Sequence, residues 1–216
     1  MKLIQRIFLA ALSLGVFTSA AIPAVAAPRP TERVVLAGGC FWGMQAVFSS
    51  LKGVTKTEAG YAGGTASTAN YESVSSETTG QAESVAITFD PSRISFKQLL
   101  DVYFTVAHDP TELNRQGPDQ GSSYRSEIFY TSSAQRDEAR AEIAALQRAH
   151  TYGSPIVTTL HHLPAFYPAE AYHQNYLVRN PHSGYIVYND IPKLQALRAK
   201  FPSLVNAQSP TMRIVE

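Results

Sequence analysis

Cys40 is the only cysteine in the sequence and stands in the run Gly39-Cys40-Phe41-Trp42-Gly43. The apolar run Arg33–Ala37 before it predicts a strand, and the pattern after it predicts a helix, so the thiol sits where a strand hands over to a helix N-terminus. Unpaired backbone N–H groups and the positive end of the helix dipole gather there, and both favour thiolate, the nucleophilic form of cysteine. The flanking glycines let another molecule approach the backbone closely. A buried, inert cysteine is the plainer alternative. Phe41 and Trp42 are adjacent helical positions about 100° apart, so both cannot easily face one core. Either they are core aromatics, or at least one walls an apolar pocket beside the sulfur.

The elements that must position this thiol follow from periodicity. Phe41, Met44, Val47, Phe48 and Leu51 recur at three- and four-residue spacing, and Gly53 ends that helix. Strands are predicted over 54–61, 84–89, 124–130 and 156–163. Ser95 caps a helix reaching Ala107, with Phe96, Leu99, Leu100, Tyr103 and Phe104 on its apolar face. Further helices are predicted over 133–150, 170–178 and 192–201. The segments 65–80 and 108–123 are long polar loops, and a loop of the second kind inside a compact domain is usually functional. Several connections are too short for helical crossovers, which favours α+β with a mixed sheet over a doubly wound fold.

A series of motifs in this order resembles the A-type peptide methionine sulfoxide reductases. Gly39–Gly43 matches the active-site signature of that family. Gly60-Tyr61-Ala62-Gly63-Gly64, Asn70-Tyr71, Gly80-Gln81-Ala82-Glu83, His108-Asp109-Pro110-Thr111, Gln120-Gly121 through Tyr124-Arg125-Ser126, Phe166–Glu170 and His173-Gln174-Asn175-Tyr176-Leu177 continue it, from about Val34 to Phe201. The resemblance implies an α+β two-layer sandwich around a mixed sheet with a ferredoxin-like core. It implies a catalytic domain over 33–201; the residues on either side read by themselves as a linker over 27–32 and a loosely held tail over 202–216.

It also implies a chemistry. A sulfoxide sulfur is a modest electrophile and its oxygen a poor leaving group, so reduction needs a thiolate aimed at sulfur and an acid aimed at oxygen. Cys40 matches the family nucleophile and Glu83 its acid. A carboxyl partly buried at the head of an apolar strand, without a cation partner, would have a raised pKa and hold a proton near neutrality; read from local sequence alone, Glu83 is instead an exposed strand-end residue. Tyr71 and Tyr124 match the two phenols that bind the sulfoxide oxygen. Phe41 and Trp42 match the walls around the S-methyl group, and Asp119, His173, Tyr176 and Tyr185 match groups that orient the others. His173 and Tyr176 would share a helix face. The implied reaction is reduction of methionine-S-sulfoxide, free and in proteins.

Two positions depart from the commonest family pattern. Ile186 stands where many members carry a resolving cysteine, and Gln120 stands where histidine is frequent. With no second thiol, the sulfenic acid on Cys40 must be cleared from outside by a small thiol or a thioredoxin- or glutaredoxin-like protein. No bound cofactor and no metal are expected: His161 and His162 lie in a predicted strand and point to opposite faces, and one cysteine excludes a thiolate zinc site or a disulfide framework. A Cys–His hydrolase built on Cys40 and His173 lacks the signatures of such enzymes around the cysteine, and a non-enzymatic methionine-binding or thiol-scavenging module is the remaining class. Turnover of a methionine sulfoxide with added dithiol separates the three.

Composition and the N-terminus bound the setting. Lys and Arg number 18 against 17 Asp and Glu, which gives no basic excess for nucleic acid. Hydrophobic residues at 44% support a sizeable core within one domain. Residues 1–26 read as a signal peptide: Lys2 and Arg6, an apolar run Ile7–Phe17 too short to span a bilayer comfortably, and Ala24-Val25-Ala26 as the cleavage site. An uncleaved anchor is the alternative. A periplasmic or secreted monomer, away from the membrane after cleavage, is expected.

Overall fold

The computed structural model describes residues 30–215. The predicted signal peptide and half of the predicted linker, residues 27–29, lie outside the described residues.

The elements run β1 (Glu32–Ala37), α1 (Phe41–Ser49), β2 (Val54–Ala62), α2 (Tyr71–Val74), β3 (Ala82–Phe89), α3 (Phe96–Val102), β4 (Arg115–Gln116), β5 (Asp119–Gln120), β6 (Glu127–Tyr130), α4 (Ser133–Arg148), β7 (Thr159–His162), β8 (Phe166–Pro168), α5 (Tyr176–Arg179) and α6 (Ile191–Lys200). A six-stranded sheet has the order β7-β6-β1-β3-β2-β8, antiparallel throughout except for the β6–β7 pair. Within it, β1-α1-β2-β3-α3-β6 forms a βαββαβ unit whose strands lie in the spatial order β6-β1-β3-β2. This is the expected ferredoxin-like core of a mixed-sheet α+β fold.

Alternation along the strands sorts the core. Val34, Leu36, Val85, Ile87 and Ile128 face a large cluster shared with Met44, Val47 and Phe48 of α1 and Leu99, Leu100 and Val102 of α3. Val35, Ala37, Ala82, Ala86 and Phe129 form a smaller cluster on the opposite face. α1 is buried on nearly every side, because α5 and α6 pack over the face that the sheet leaves open. Its Gly43 permits that approach: a Cβ there would lie 2.0 Å from Asp190 Oδ1. α3 begins with a capping box between Ser95 and Gln98 and widens into a π turn over Tyr103–Ala107.

The structure corrects several expectations. The loop 108–123 carries the small β4–β5 ribbon, and β8, too short for periodicity to reveal, extends the sheet edge. Tyr124 closes a 3₁₀ turn, Ser122–Tyr124, ahead of β6 rather than opening the strand. The segment 170–178 is not one helix: Asn175 takes a left-handed conformation and α5 starts only at Tyr176. The tail is not loosely held. Val205 bridges to Leu51, the Lys52 amide donates to the Leu204 carbonyl at 2.8 Å, and Met212 is buried against the main core.

Candidate active site

Cys40 is the N-cap of α1, the strand–Gly-Gly–helix junction expected for it. Gly39 makes the turn with φ +87°, and the Gln116 side chain packs so closely that a Cβ at Gly39 would meet it at 2.5 Å. The Gly39 amide donates to the Tyr124 carbonyl at 3.2 Å, which ties the Cys40 loop to the turn bearing Tyr124. His108 packs beneath Gly38 and is held by Ser126 and the Tyr103 carbonyl. Burial pushes this imidazole down to about 4, so it is a neutral structural member.

Glu83 is the second residue of β3, paired in register with Tyr61, and faces the helix layer with Val85. It is 4% exposed, so it is a buried carboxyl and not an exposed strand end. Its Oε2 accepts the backbone amide of Phe41 at 3.0 Å, satisfying an open donor of the α1 N-terminus. Burial raises its pKa to about 8 even though the Phe41 amide pulls the other way. With Oε2 accepting, the proton of the neutral acid resides on Oε1.

A cleft of about 170 Å3 is lined by Cys40, Trp42, Tyr71, Glu83, Asp119, Tyr124 and Tyr185. These residues come from the α1 N-terminus, α2, β3, the β4–β5 ribbon, the 3₁₀ turn and the segment before α6. Three larger recesses among the described residues hold neither the cysteine nor Glu83. Asn70 caps α2 through its contact with the Ser73 amide, so Tyr71 occupies the first helical position. Tyr71 is 38% exposed and forms the outer rim. The Tyr185 hydroxyl donates to Asp119 Oδ2, while burial raises the pKa of Asp119. Burial likewise raises the pKa of Tyr124.

The Trp42 indole N–H donates to His173 Nδ1 at 3.0 Å, and Tyr176 stacks on the Trp42 ring at 3.8 Å. An imidazole that accepts at Nδ1 carries its proton on Nε2, and burial lowers the pKa of His173, which favours this neutral form. Thus His173 and Tyr176 both serve Trp42, although they do not share a helix. Tyr176 and His173 do not line the cleft; they hold its wall. Phe41 also departs from expectation. Its ring is 1% exposed and packs on Tyr61 and His173, so Trp42 is the aromatic wall facing the cleft. Phe41 contributes its backbone amide instead.

The helix terminus does not dominate the thiol. The pKa of Cys40 is raised well above the ordinary cysteine value, first by burial and then by Glu83 and Asp190, and the Trp42 amide only partly offsets this. The Trp42 amide contact falls short of a capping hydrogen bond in its geometry. A protonated Glu83 removes the largest of the carboxylate contributions, so the acid form of Glu83 and a thiolate on Cys40 favour one another.

Sequence reasoning did not single out several supporting residues. Glu170 accepts the Tyr71 amide and the Tyr61 hydroxyl, each at 2.9 Å. Gln174 bonds the Ala59 amide and carbonyl, and Gln45 bonds the Asn175 amide, fixing the His173 turn against β2 and α1. Arg125 donates to Gly80, Gln81 and Ser122 carbonyls and to Glu127, joining the start of β3 to the Tyr124 turn. Gln45, a polar residue inside an apolar helix, was the available signal. His161 bonds Glu127 whereas His162 packs on the Tyr130 ring.

Residues 32–204 match the family model described as peptide methionine sulfoxide reductase. A Mesorhizobium japonicum protein, "Peptide methionine sulfoxide reductase MsrA 2", is 52% identical over 174 residues, covering 81% of this chain and 89% of its own. A Synechocystis protein of the same description is 45% identical over 187 residues, 87% of each chain. Among solved structures, Mxr1 from Saccharomyces cerevisiae in reduced form superposes with a TM-score of 0.66 at 33% identity, covering 72% of this chain and 89% of that one. Methionine sulfoxide reductase A of Corynebacterium diphtheriae gives 0.61 at 32%, covering 70% and 76%.

Proposed function

The chain belongs to the peptide methionine sulfoxide reductase family, and from that premise we propose that it reduces methionine-S-sulfoxide, free and in proteins, through a sulfenic acid on Cys40 that an external thiol clears. The observation that carries this reading is the placement of a buried carboxyl with a pKa of about 8 in the same small cleft as the single thiol.

In this reading Cys40 sulfur attacks the sulfoxide sulfur while Glu83 Oε1 delivers its proton to the oxygen. The Tyr71 and Tyr124 hydroxyls bind that oxygen, and their raised pKa values keep them protonated as donors. Trp42 walls the S-methyl group. Asp119 and Tyr185 hold the far side of the thiol. The Cys40 thiol and the sulfoxide become the Cys40 sulfenic acid and methionine: one oxygen moves to Cys40 carrying the Glu83 proton, and the proton that Cys40 releases restores the Glu83 acid. Recycling then falls to a small thiol or a thioredoxin- or glutaredoxin-like protein, because Ile186, at the position expected for a resolving cysteine, is a buried aliphatic residue. The signal-like segment 1–26 supports work in the periplasm or outside the cell, where the enzyme repairs oxidised extracytoplasmic proteins as a monomer.

The test is a reductant-free reaction with excess sulfoxide. The reading requires about one methionine per Cys40 and a product enzyme heavier by one oxygen that a dimedone-type probe traps. Release of no methionine, or a burst with neither trappable sulfenic acid nor mixed disulfide, overturns it.

A further inference from the structure

A second recess, about 100 Å3, also reaches Cys40. Cys40, Asp119 and Tyr185 line both recesses. Trp42, Tyr71, Glu83 and Tyr124 line only the first, and Gln116, Gly117, Pro118, Asn189 and Lys193 line only the second. The hydrogen-bonded Asp119–Tyr185 pair is therefore common to the two. We propose that the second recess is the approach route of the reducing thiol, a cysteinyl –CH2–SH group, to Cys40.

This inference rests on the proposed sulfenic acid. Displacement at divalent sulfur runs in line: the incoming sulfur must approach opposite the oxygen that leaves. Glu83, Tyr71 and Tyr124, the groups assigned to that oxygen, all belong to the first recess. The second recess reaches the same sulfur without touching any of the three. Its size suits a thiol on a methylene and little more. Among the described residues, Lys193 is the only cationic side chain lining either recess, and one of its three donors is engaged by Asp190 at 3.2 Å. Its charge offsets the Asp190 and Asp119 carboxylates, which would otherwise disfavour the incoming thiolate, the form that attacks.

The chemistry balances in two steps. The incoming thiol and the Cys40 sulfenic acid give a mixed disulfide and water: the S–S bond forms, the S–O bond breaks, and the thiol proton leaves with the hydroxyl. A second thiol attacks the external sulfur of that disulfide, releasing the Cys40 thiol and an external disulfide. The external thiols are oxidised and Cys40 is reduced.

Gly117 offers the test. It has φ +56° and nothing lies within 4 Å of a Cβ built there, and asparagine tolerates that backbone conformation. Gly117→Asn should fill the mouth of the second recess and leave the first untouched. The methionine burst without reductant should keep its wild-type rate. Reduction of preformed sulfenic acid, followed by loss of dimedone trapping after mixing with N-acetylcysteine or with reduced thioredoxin, should slow by about tenfold or more, as expected when a reacting group is displaced by about an ångström. Slowing with only one of the two thiols assigns the recess to that source. Product methionine should compete with the sulfoxide and leave the N-acetylcysteine step unaffected. A burst slowed as much as the thiol step, no slowing with either thiol, or competition between methionine and N-acetylcysteine overturns the proposal. Absence of any sulfenic acid in the wild type instead overturns the mechanism on which it rests.

Discussion

Glu83 Oε2 accepts the amide hydrogen of Phe41, so a carboxyl from β3 caps the very helix whose N-cap residue is Cys40. The contact fixes the acid beside the thiol through backbone geometry rather than through a side-chain partner. It also explains how α1 begins without a capping bond from Cys40 itself.

Glu83→Gln should preserve this cap, since an amide oxygen accepts as the carboxyl does, while losing the transferable proton. Single-turnover methionine release should slow by on the order of 10²–10⁴ with little change in sulfoxide binding. A rate within a factor of about 3 of wild type, far short of a general-acid loss, would show that another group protonates the oxygen. Because the Cys40 pKa lies above that of Glu83, the reactive thiolate–acid pair holds as many protons as the thiol–carboxylate pair, so the wild-type single-turnover rate should rise with pH to about 8 and level off above it.

Stability should follow the same carboxyl. A folded-state pKa raised from 4.5 to about 8 means the folded protein holds a proton that the unfolded chain has released. That stabilisation is complete below about pH 4.5 and is lost as pH rises to about 8. The difference in melting temperature between Glu83→Gln and wild type should therefore shift in favour of the variant from pH 5 to pH 8. A pH-independent difference would place the Glu83 pKa near that of an ordinary glutamate.

Cys40→Ser should abolish turnover without loss of fold. Serine is a favoured N-cap, worth about 0.5–2 kcal/mol over alanine, and cysteine makes no capping bond here. The melting temperature of the variant should equal or exceed that of the wild type. Turnover above background in a fully folded variant would remove Cys40 as nucleophile.

Trp42 is the only tryptophan, so its emission reports on the cleft wall. Sulfoxide binding should change it. Because the neutral His173 ring accepts the indole N–H, emission of the free enzyme should be constant near neutrality and change only below the ordinary histidine range. His173→Phe should abolish that acidic transition and raise KM more than it lowers kcat. An unaltered acidic transition in the variant would separate Trp42 from His173.

Truncation after Phe201 should be costly. It removes Val205 and Met212 from the core and leaves Leu51 partly uncovered. Burial of two such side chains contributes about 3–6 kcal/mol, which urea unfolding should register. A loss below about 1 kcal/mol would mean that the tail packs only loosely, since even one such buried side chain contributes more.

What the sequence by itself determined was the place of the single thiol at a strand–helix junction and the order of the core elements. Strand, paired glycines, cysteine and helix are contiguous, so the placement of Cys40 is a local matter that spacing alone conveys. The order of the strands and helices in the βαββαβ unit was legible because they repeat over enough residues to show a pattern, whereas their assembly into a ferredoxin-like core came by resemblance. Glu83 was recognisable only by resemblance, because its burial is created by β2 and α1, which lie far from it in the chain. Tertiary structure alone decided that Phe41 turns into the core while Trp42 faces the cleft, since α1 is covered on the side that an isolated amphipathic helix would leave to water. It also decided that the helix dipole loses to burial and neighbouring carboxylates at the thiol, as desolvation depends on everything packed around a group. The short β4–β5 ribbon, β8 and the packed tail escaped the sequence because two or three residues carry no period. Long-range partners, not local propensity, hold them in place.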